Sequence, residues 1–190
     1  MTLNAQNCRL AWQQMTAACA AGPVRNYVQL LDMQDFLVET ELFPEPVLRA
    51  YSARNMEKPL TEDQLQHINA ERGGPQGNYR DGMAQKMANV VDCLSKFPQS
   101  KRAVITICNE PMPVHSNDAD AKCVRELHLY LDDAGRLSGT VFLRAQAAAL
   151  FPKNIHMLGS IMQEIAAQLP QRPALGTLFY LASILVADRS

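Results

Sequence analysis

Three side chains in the second half of the chain are of types that could do chemistry together, namely Cys123, Arg144 and Asn154. Arg144 ends an apolar run typical of a strand, and Asn154 follows a proline of the kind found at helix starts. An arginine can bind a phosphate through two parallel hydrogen bonds, and an asparagine amide can read the polar edge of a flat ring. The set therefore predicts a site for a small planar ligand that carries a phosphate.

Each of these residues also has a purely structural interpretation. Cys123 could be a strand cysteine that packs as a small apolar side chain. Arg144 could pair with Glu126 or Asp132, because burying a guanidinium without an anion is costly. Asn154 could cap the helix that begins near it. The residues alone leave both interpretations open.

A catalytic role for Cys123 requires its thiolate, because the thiolate is the nucleophile and a free cysteine titrates at about 8.5. A neighbouring cation raises the thiolate fraction at neutral pH. Arg144 could supply that cation while it also holds a phosphate. Arg125 is closer in sequence, and on a regular strand it shares a face with Cys123.

Composition indicates a globular protein and excludes several classes of function. The 190 residues are enough for one domain with a sizeable core, which we assign to residues 1–190. A formal charge of -1 without a basic run gives no reason to expect a nucleic acid polymer as partner. Five cysteines without a CxxC pair indicate neither a disulfide framework nor a zinc site, so no metal is expected.

The sequence indicates neither a membrane segment nor a secretion signal. No stretch approaches the roughly 18 uncharged apolar residues of a membrane helix. The N-terminus lacks a basic segment followed by an apolar core. We therefore expect a cytoplasmic protein without a membrane partner.

Residues 1–75 are predicted to form a helical N-terminal third. Apolar side chains recur at helical spacing within 10–18 and again within 27–37. The stretch from Thr61 to Gln64 fits a capping box at a further helix start. Residues 71–78, with three glycines and a proline, are the clearest loop.

Helices and strands alternate after residue 80. Residues 83–94 carry apolar side chains at spacings of three and four, which predicts a helix that ends before Pro98. Residues 101–109 form a β-branched run typical of a strand. The runs 123–131 and 136–145 flank a short Asp/Gly turn, which predicts an antiparallel hairpin.

The last third of the chain completes the pattern. Residues 152–169 are predicted to form a helix, and 175–187 fit either a strand or a buried helix. The whole order indicates an α+β fold with a mixed or antiparallel sheet and flanking helices.

The ordered segments ANVVDCL, SKRAVITICN, KCVRELHLYL, GRLSGTVFLRAQ and FPKNI resemble the central part of thymidylate synthases and deoxycytidylate hydroxymethylases. The resemblance covers residues 83–180 and depends on the order and spacing of the segments together. It implies a thymidylate-synthase-like mixed sheet with flanking helices, and a homodimer in which sheet packs against sheet.

The resemblance implies a role for each of the three residues named first. Cys123 falls at the position of the nucleophilic cysteine that adds to C6 of the pyrimidine ring. Arg144 falls at the arginine that binds the nucleotide phosphate beside that thiolate. Asn154 falls at the asparagine that hydrogen-bonds O4 and N3 of the ring.

Four further positions carry implied contacts to the substrate. Lys101 and Arg102 fall at an arginine pair that reaches the phosphate bound by the partner subunit. His128 takes the place of a glutamine near the site, although a strand histidine packed beside Tyr130 is the alternative. Gly176 matches a glycine of the next nucleotide-contacting segment.

The chain departs from the family at several positions. Val124 replaces a histidine, and Ala145 and Ala147 replace a serine and an aspartate. The sequence ends at Ser190 without the segment that closes over folate in the family. Methylenetetrahydrofolate, the implied one-carbon donor, is therefore expected to bind weakly.

These observations lead to an expected function and an alternative. C5 of a uracil ring is a poor nucleophile until a thiolate adds at C6. We therefore expect a protein that binds a pyrimidine nucleotide and transfers a one-carbon unit to C5 through Cys123, with Asn154 favouring uracil over cytosine. The alternative is a noncatalytic relative that binds a ligand or a protein partner; an interaction module built on residues 1–75 is a weaker third hypothesis.

Overall fold

A mixed β-sheet organises the part of the chain that the structure, a computed structural model, describes, namely residues 3–68, 78–107 and 122–188. Seven strands belong to it there: β1 (Leu3–Ala5), β2 (Val24–Asp32), β3 (Val104–Thr106), β4 (Val124–Leu131), β5 (Leu137–Leu143), β6 (Gln146–Ala147) and β7 (Leu175–Val186). Their order is β1-β2-β7-β5-β4-β3, and β6 also pairs with β7. The β1–β2, β5–β7 and β6–β7 pairs are parallel, and the remaining pairs are antiparallel.

Five α-helices occur in the same described ranges: α1 (Cys8–Ala18), α2 (Glu45–Asn55), α3 (Glu62–Leu65), α4 (Met83–Lys96) and α5 (Phe151–Gln168). The Asn7 side chain caps α1 by accepting a hydrogen bond from the Leu10 amide at 2.8 Å. Thr61 and Gln64 form the predicted capping box at the start of α3, which confirms that prediction. Helices α1, α4 and α5 contact the sheet, and α2 packs on α5.

The core lies between the sheet and these helices. The predicted core positions of α5 are all buried, which confirms the predicted helix: Ile155, Leu158, Ile161, Met162, Ile165 and Leu169. The predicted hairpin is also confirmed as β4 and β5, and its turn is closed by Asp132, whose carboxylate accepts the amides of Ala134 and Arg136. Gly135 has φ +72° in that turn, a conformation that favours glycine.

The predicted α+β fold with a mixed sheet is confirmed, but the helical N-terminal third is wrong for residues 24–32, which form β2 between β1 and β7. Tyr27 and Leu31 point into the core together with Gln29, so burial alternates with period two. Gln29 is a buried polar residue that accepts a hydrogen bond from the Tyr27 hydroxyl at 2.8 Å. Because that glutamine lies at a core position, the run mimics helical spacing in sequence.

The segment that fitted either a strand or a buried helix is a strand. Leu178, Tyr180 and Ala182 of β7 are fully buried, and the residues between them are only half-buried. A strand with one covered face gives this alternation.

Buried and half-buried residues alternate along β7 and along β5–β6, and in both this alternation is interrupted at positions that lie opposite each other. Half-buried Arg144 and Ala145 separate the buried residues Leu143 and Gln146. Ser183 and Ile184 likewise separate two buried residues of β7. The register does not change across the break, since Leu143 is opposite Ala182 and Gln146 is opposite Leu185. The side chains therefore switch faces in both strands together.

The two neighbouring strands are irregular at this level as well. In β4 the register shifts between Val124 and Glu126. In β2, Asn26 has φ +52° and lies between the pairs Arg25–Ile184 and Tyr27–Ala182. The shift in β4 is a bulge, which bends a strand and redirects its side chains, whereas the β2–β7 register is the same on both sides of Asn26. In β5–β6, the two half-buried residues Arg144 and Ala145 shift the alternation by one residue. Gln146 is therefore buried, whereas uninterrupted alternation would place it on the face of exposed Phe142.

Gly159 of α5 leaves room for the ring of Phe36. A Cβ built at position 159 would lie 2.3 Å from the Phe36 ring. That ring meets His156 edge-on, with centroids 5.5 Å apart. The glycine therefore fixes how the segment after β2 packs on α5.

We expect Gly159→Ala to lower the free energy of unfolding in urea. Overpacking costs about 1–3 kcal/mol, which outweighs the gain of about 1 kcal/mol in helix propensity. In a Phe36→Ala background the same change should stabilise the protein, because the clash is absent. A stabilised single variant would contradict this view of the contact.

His156 is a buried histidine whose ring nitrogen Nδ1 lies 2.7 Å from the Ser52 hydroxyl of α2. Ser160 approaches the same nitrogen at 3.4 Å. Burial lowers the pKa of His156 to about 4, with the positive charge of Arg49 acting in the same direction and Glu45 opposing it. The folded protein therefore holds this histidine neutral at pH values where the unfolded chain protonates it.

Stability should therefore fall as pH drops from about 6.5 towards 4, because only the unfolded state binds the proton in that window. Between pH 7 and pH 5 we expect a loss of about 2 kcal/mol in the free energy of unfolding from this group. His156→Asn keeps a partner for Ser52 and cannot titrate, so urea titrations of that variant should show a flatter pH dependence. If the free energy of unfolding fell equally with pH in the wild type and in His156→Asn, His156 would be excluded as the cause.

Candidate functional site

Cys123 and Arg144 meet across the β4–β5 hairpin, at the end away from its turn. The Arg144 amide donates to the Cys123 carbonyl at 2.8 Å, which continues the ladder beyond the Val124–Leu143 pair. Residues opposite each other in such a ladder have Cβ atoms about 4.5–5.5 Å apart. Both side chains are half-buried. The structure thus brings the two residues together, while their part in chemistry stays a prediction.

Arg125 was the other candidate cation near Cys123. It lies at the register shift of β4, and its carbonyl accepts the Ile107 amide at 3.0 Å. Arg125 shares a face with Cys123 only if side chains alternate regularly along β4. The strand is irregular at Arg125, so this condition is not met.

Asn154 lies in the first turns of α5 and is 5% exposed. Its interpretation as a cap is wrong, because the helix starts after Leu150 without a side-chain cap. Instead, the Asn154 Nδ2 donates to Gln146 Oε1 at 2.9 Å. The Tyr180 hydroxyl donates to the same oxygen at 2.5 Å. These three buried side chains form one connected polar network.

This network adjoins the Cys123–Arg144 pair along the chain, because Gln146 follows Arg144 by two residues. Burial raises the pKa of Tyr180 well above its usual value, and the nearby ionisable groups of Tyr79 and Cys123 act in the same direction. The Tyr180 hydroxyl therefore keeps its proton. Through Gln146 and Asn154, the network connects the end of β5 with the start of α5.

Lys153 places a buried positive charge at the same helix start. It is 3% exposed, and its Nζ lies 5.1 Å from the centroid of the Tyr51 ring. An ammonium over an aromatic face is stabilised by the ring quadrupole. The N-terminus of a helix also carries partial positive charge, so Lys153 and the backbone at this helix start carry charge of the same sign.

Sequence reasoning missed Gln146, Lys153 and Tyr180. Gln146 lies within the quoted segment GRLSGTVFLRAQ, and period-two alternation places it on the outer face, so its burial has no signal there. Lys153 lies within the quoted segment FPKNI, and its burial was not foreseen. Tyr180 had one usable signal, which is that it is the one tyrosine in the mostly apolar run 175–187.

Gly176 is not brought to this cluster. It adjoins the hairpin turn, where a Cβ would lie 2.2 Å from Ser138 Oγ. Asp132 is at the same end, in an ion pair with Arg136 at 3.1 Å, so Arg144 does not pair with it. The seven residues of β5 put roughly 23 Å between this turn and Arg144, at about 3.3 Å per residue.

Lys101, Arg102 and His128 are also distant from Cys123 within one chain. The two basic residues are exposed in the turn before β3. The β3–β4 register places that turn beside the half of β4 nearer the hairpin turn, because the Leu129 amide donates to the Ala103 carbonyl. His128 is a half-buried strand residue with its Nε2 3.1 Å from the Ser100 carbonyl oxygen and its ring 6.1 Å from Tyr130. The alternative interpretation of His128 matches this position.

Two further observations concern only the residues that the structure describes. They contain no group of three His, Cys, Asp or Glu side chains arranged to hold a metal ion. They also contain no helix that combines the length and apolar character needed to cross a bilayer. Cys108 and the predicted loop at 71–77 lie outside the described residues.

The arrangement combines a cysteine and an arginine paired through the backbone, an amide held by a hydrogen bond, and the partial positive charge of a helix start. Such a set suits a planar polar ring attached to an anion. A scan against models of known protein families found no match, and a search of curated proteins found none either.

Proposed function

We propose that the protein binds a pyrimidine nucleotide such as dUMP and, within a thymidylate-synthase-like fold, transfers a one-carbon unit to ring carbon C5. The observation that carries this proposal is the pairing of Cys123 with Arg144 across the hairpin. The buried network of Asn154, Gln146 and Tyr180 beside that pair supports it.

The covalent step begins at Cys123. The thiolate electron pair forms the Sγ–C6 bond, and the C5–C6 π pair moves to C5 and is shared with O4 of the ring. A bound one-carbon donor would supply an electrophilic carbon for C5; its nitrogen would leave with the electron pair of the broken C–N bond, and water would complete a hydroxymethyl group. Loss of the C5 proton to solvent and departure of the thiolate restore the double bond. When no donor reacts, C5 takes up a solvent proton instead, and the nucleotide returns with its C5 hydrogen exchanged.

The surrounding residues serve this step through charge and orientation. Arg144 favours the thiolate form of Cys123 and binds the phosphate bidentately. Lys153 and the start of α5 add positive potential for the same anion. Asn154 binds the polar edge of the ring and so fixes which carbon faces the sulfur.

Methylenetetrahydrofolate is the donor that the resemblance implies, and the described residues do not fit the family's way of holding it. Position 147 carries a methyl group where the family has a carboxylate, and the Ala147 carbonyl already accepts the Gln146 amide at 2.5 Å. Activation of C5 does not depend on the donor. The same observation favours a second candidate, a noncatalytic relative that keeps the nucleotide site for binding.

The test of catalysis is release of tritium from [5-³H]dUMP, with and without methylenetetrahydrofolate. We expect the wild type to release tritium and Cys123→Ser to fall to background, because a serine hydroxyl is a far weaker nucleophile at neutral pH. Release without the donor would show activation of C5 alone.

Cys93→Ser is the matched control, since Cys93 is also half-buried and lies on α4. It should keep the wild-type rate. If the protein bound the nucleotides but released no tritium from dUMP or from dCMP, the noncatalytic candidate would replace the catalytic one. Absence of both would reject the nucleotide proposal.

The proposal includes a homodimer that packs sheet against sheet. Two rows of side chains cross the face opposite the buried one: Leu30, Phe179, Thr140, His128 and Val104, and then Val28, Leu181, Phe142, Glu126 and Thr106. All are half-buried or exposed, and Phe142 is 38% exposed. A contiguous apolar patch centred on Phe179 and Leu181 is the kind of surface that protein interfaces cover.

Sedimentation of the wild type should therefore give twice the 21.1 kDa of one chain. Phe179→Glu should shift it to the monomer, because a carboxylate at the centre of an apolar interface is desolvated without a partner. Leu65→Glu, at a 56% exposed position of α3, is the control and should stay dimeric. A monomeric wild type would contradict the sheet-to-sheet dimer.

A further inference from the structure

The hydrogen-bond polarity of the network around Gln146 is determined by a backbone carbonyl. Gln146 donates through Nε2 to the carbonyl oxygen of Ala147, which can only accept. The other end of the Gln146 amide must then be the oxygen. Both groups that face this oxygen must be donors, which agrees with the Tyr180 hydroxyl at 2.5 Å and the Asn154 Nδ2 at 2.9 Å.

The consequence for Asn154 is a fixed amide orientation. An amide has one acceptor end and one donor end, and the donor end of Asn154 faces Gln146. A reversed Asn154 would direct its carbonyl at the Gln146 oxygen, two acceptors in contact within a buried site, which is costly. Asn154 therefore turns its acceptor, Oδ1, away from the network.

We infer that Gln146 and Tyr180 are positioning residues that fix Asn154 as a hydrogen-bond acceptor towards the ligand. The inference deepens the proposed function and rests on it. A ring presented to this acceptor must carry an N–H at the matching position, as uracil does at N3. Cytosine has an unprotonated, accepting nitrogen there, so it would leave two acceptors facing each other.

Tyr180 contributes because it occupies the second site of the Gln146 oxygen. It is fully buried, and its ring packs edge-on against Phe151 with centroids 5.7 Å apart. Its position on β7 is fixed by the pairing with Val141 of β5. The glutamine is thus held from three sides, by Ala147, Asn154 and Tyr180.

The test compares dissociation constants for dUMP and dCMP by isothermal titration calorimetry. We expect the wild type to prefer dUMP by at least about tenfold. Gln146→Leu removes the acceptor that orients Asn154, so the preference should fall to within about threefold while phosphate-dependent binding persists. Tyr180→Phe should reduce the preference less.

Gln29→Leu is the matched control for packing. Gln29 is also a fully buried glutamine that accepts a tyrosine hydroxyl, but it has no contact with Asn154 among its hydrogen bonds to Tyr27 and Gln14. It should lose stability and keep the wild-type ratio of dissociation constants. A thermal unfolding curve for each variant verifies that the variants compared are folded.

The outcomes separate this inference from the proposed function. A wild type that prefers dUMP, together with a Gln146→Leu variant that keeps the preference, overturns the positioning role and leaves nucleotide binding intact. A wild type that binds dUMP and dCMP equally also overturns the positioning role and leaves nucleotide binding intact. Binding of neither nucleotide by the wild type overturns the proposed function and this inference together.

Discussion

The irregularity that crosses four neighbouring strands at one level is the constraint on which the candidate site depends. A sheet alternates its side chains with period two, so a strand that follows the rule cannot place Arg144 and Gln146 in different surroundings. The break at Arg144 and Ala145 removes this restriction. Because β7 breaks at the positions opposite, the backbone pairing between the strands continues and the register is kept. The bend therefore costs few backbone hydrogen bonds.

The start of α5 carries polar side chains in an interior position, and the described contacts supply a partner for each of three. Lys153 lies over the Tyr51 ring, Asn154 is bonded to Gln146, and His156 is bonded to Ser52. Buried polar groups destabilise a fold unless they are hydrogen-bonded or paired. A helix that holds several such groups is fixed in rotation about its axis as well as in position. This rotation is what directs Asn154 at the end of β5.

The hairpin, the long helices and the capping box could be predicted because each depends on local pattern. Residues 24–32 could not, since buried Gln29 replaces an apolar residue in the alternation and leaves Tyr27, Leu30 and Leu31 at apparent helical spacing. Cys123 and Arg144 were expected to meet, and hairpin pairing is enough to bring them together. Gln146 could not be found, because its burial depends on a break in the alternation at Arg144 and Ala145 that no local residue signals. Whether Lys101 and Arg102 reach a partner's ligand depends on assembly, which a single chain does not contain.

The strands at the two borders of the described sheet, β1 and β3, are each three residues long. A border strand exposes unpaired amides and carbonyls on which another chain can extend the sheet, and short borders limit this growth. Two molecules that met side by side would gain only a few backbone hydrogen bonds. The homodimer that we propose stacks through the broad apolar surface instead, and a pair stacked about a twofold axis closes after two copies without propagating into a filament.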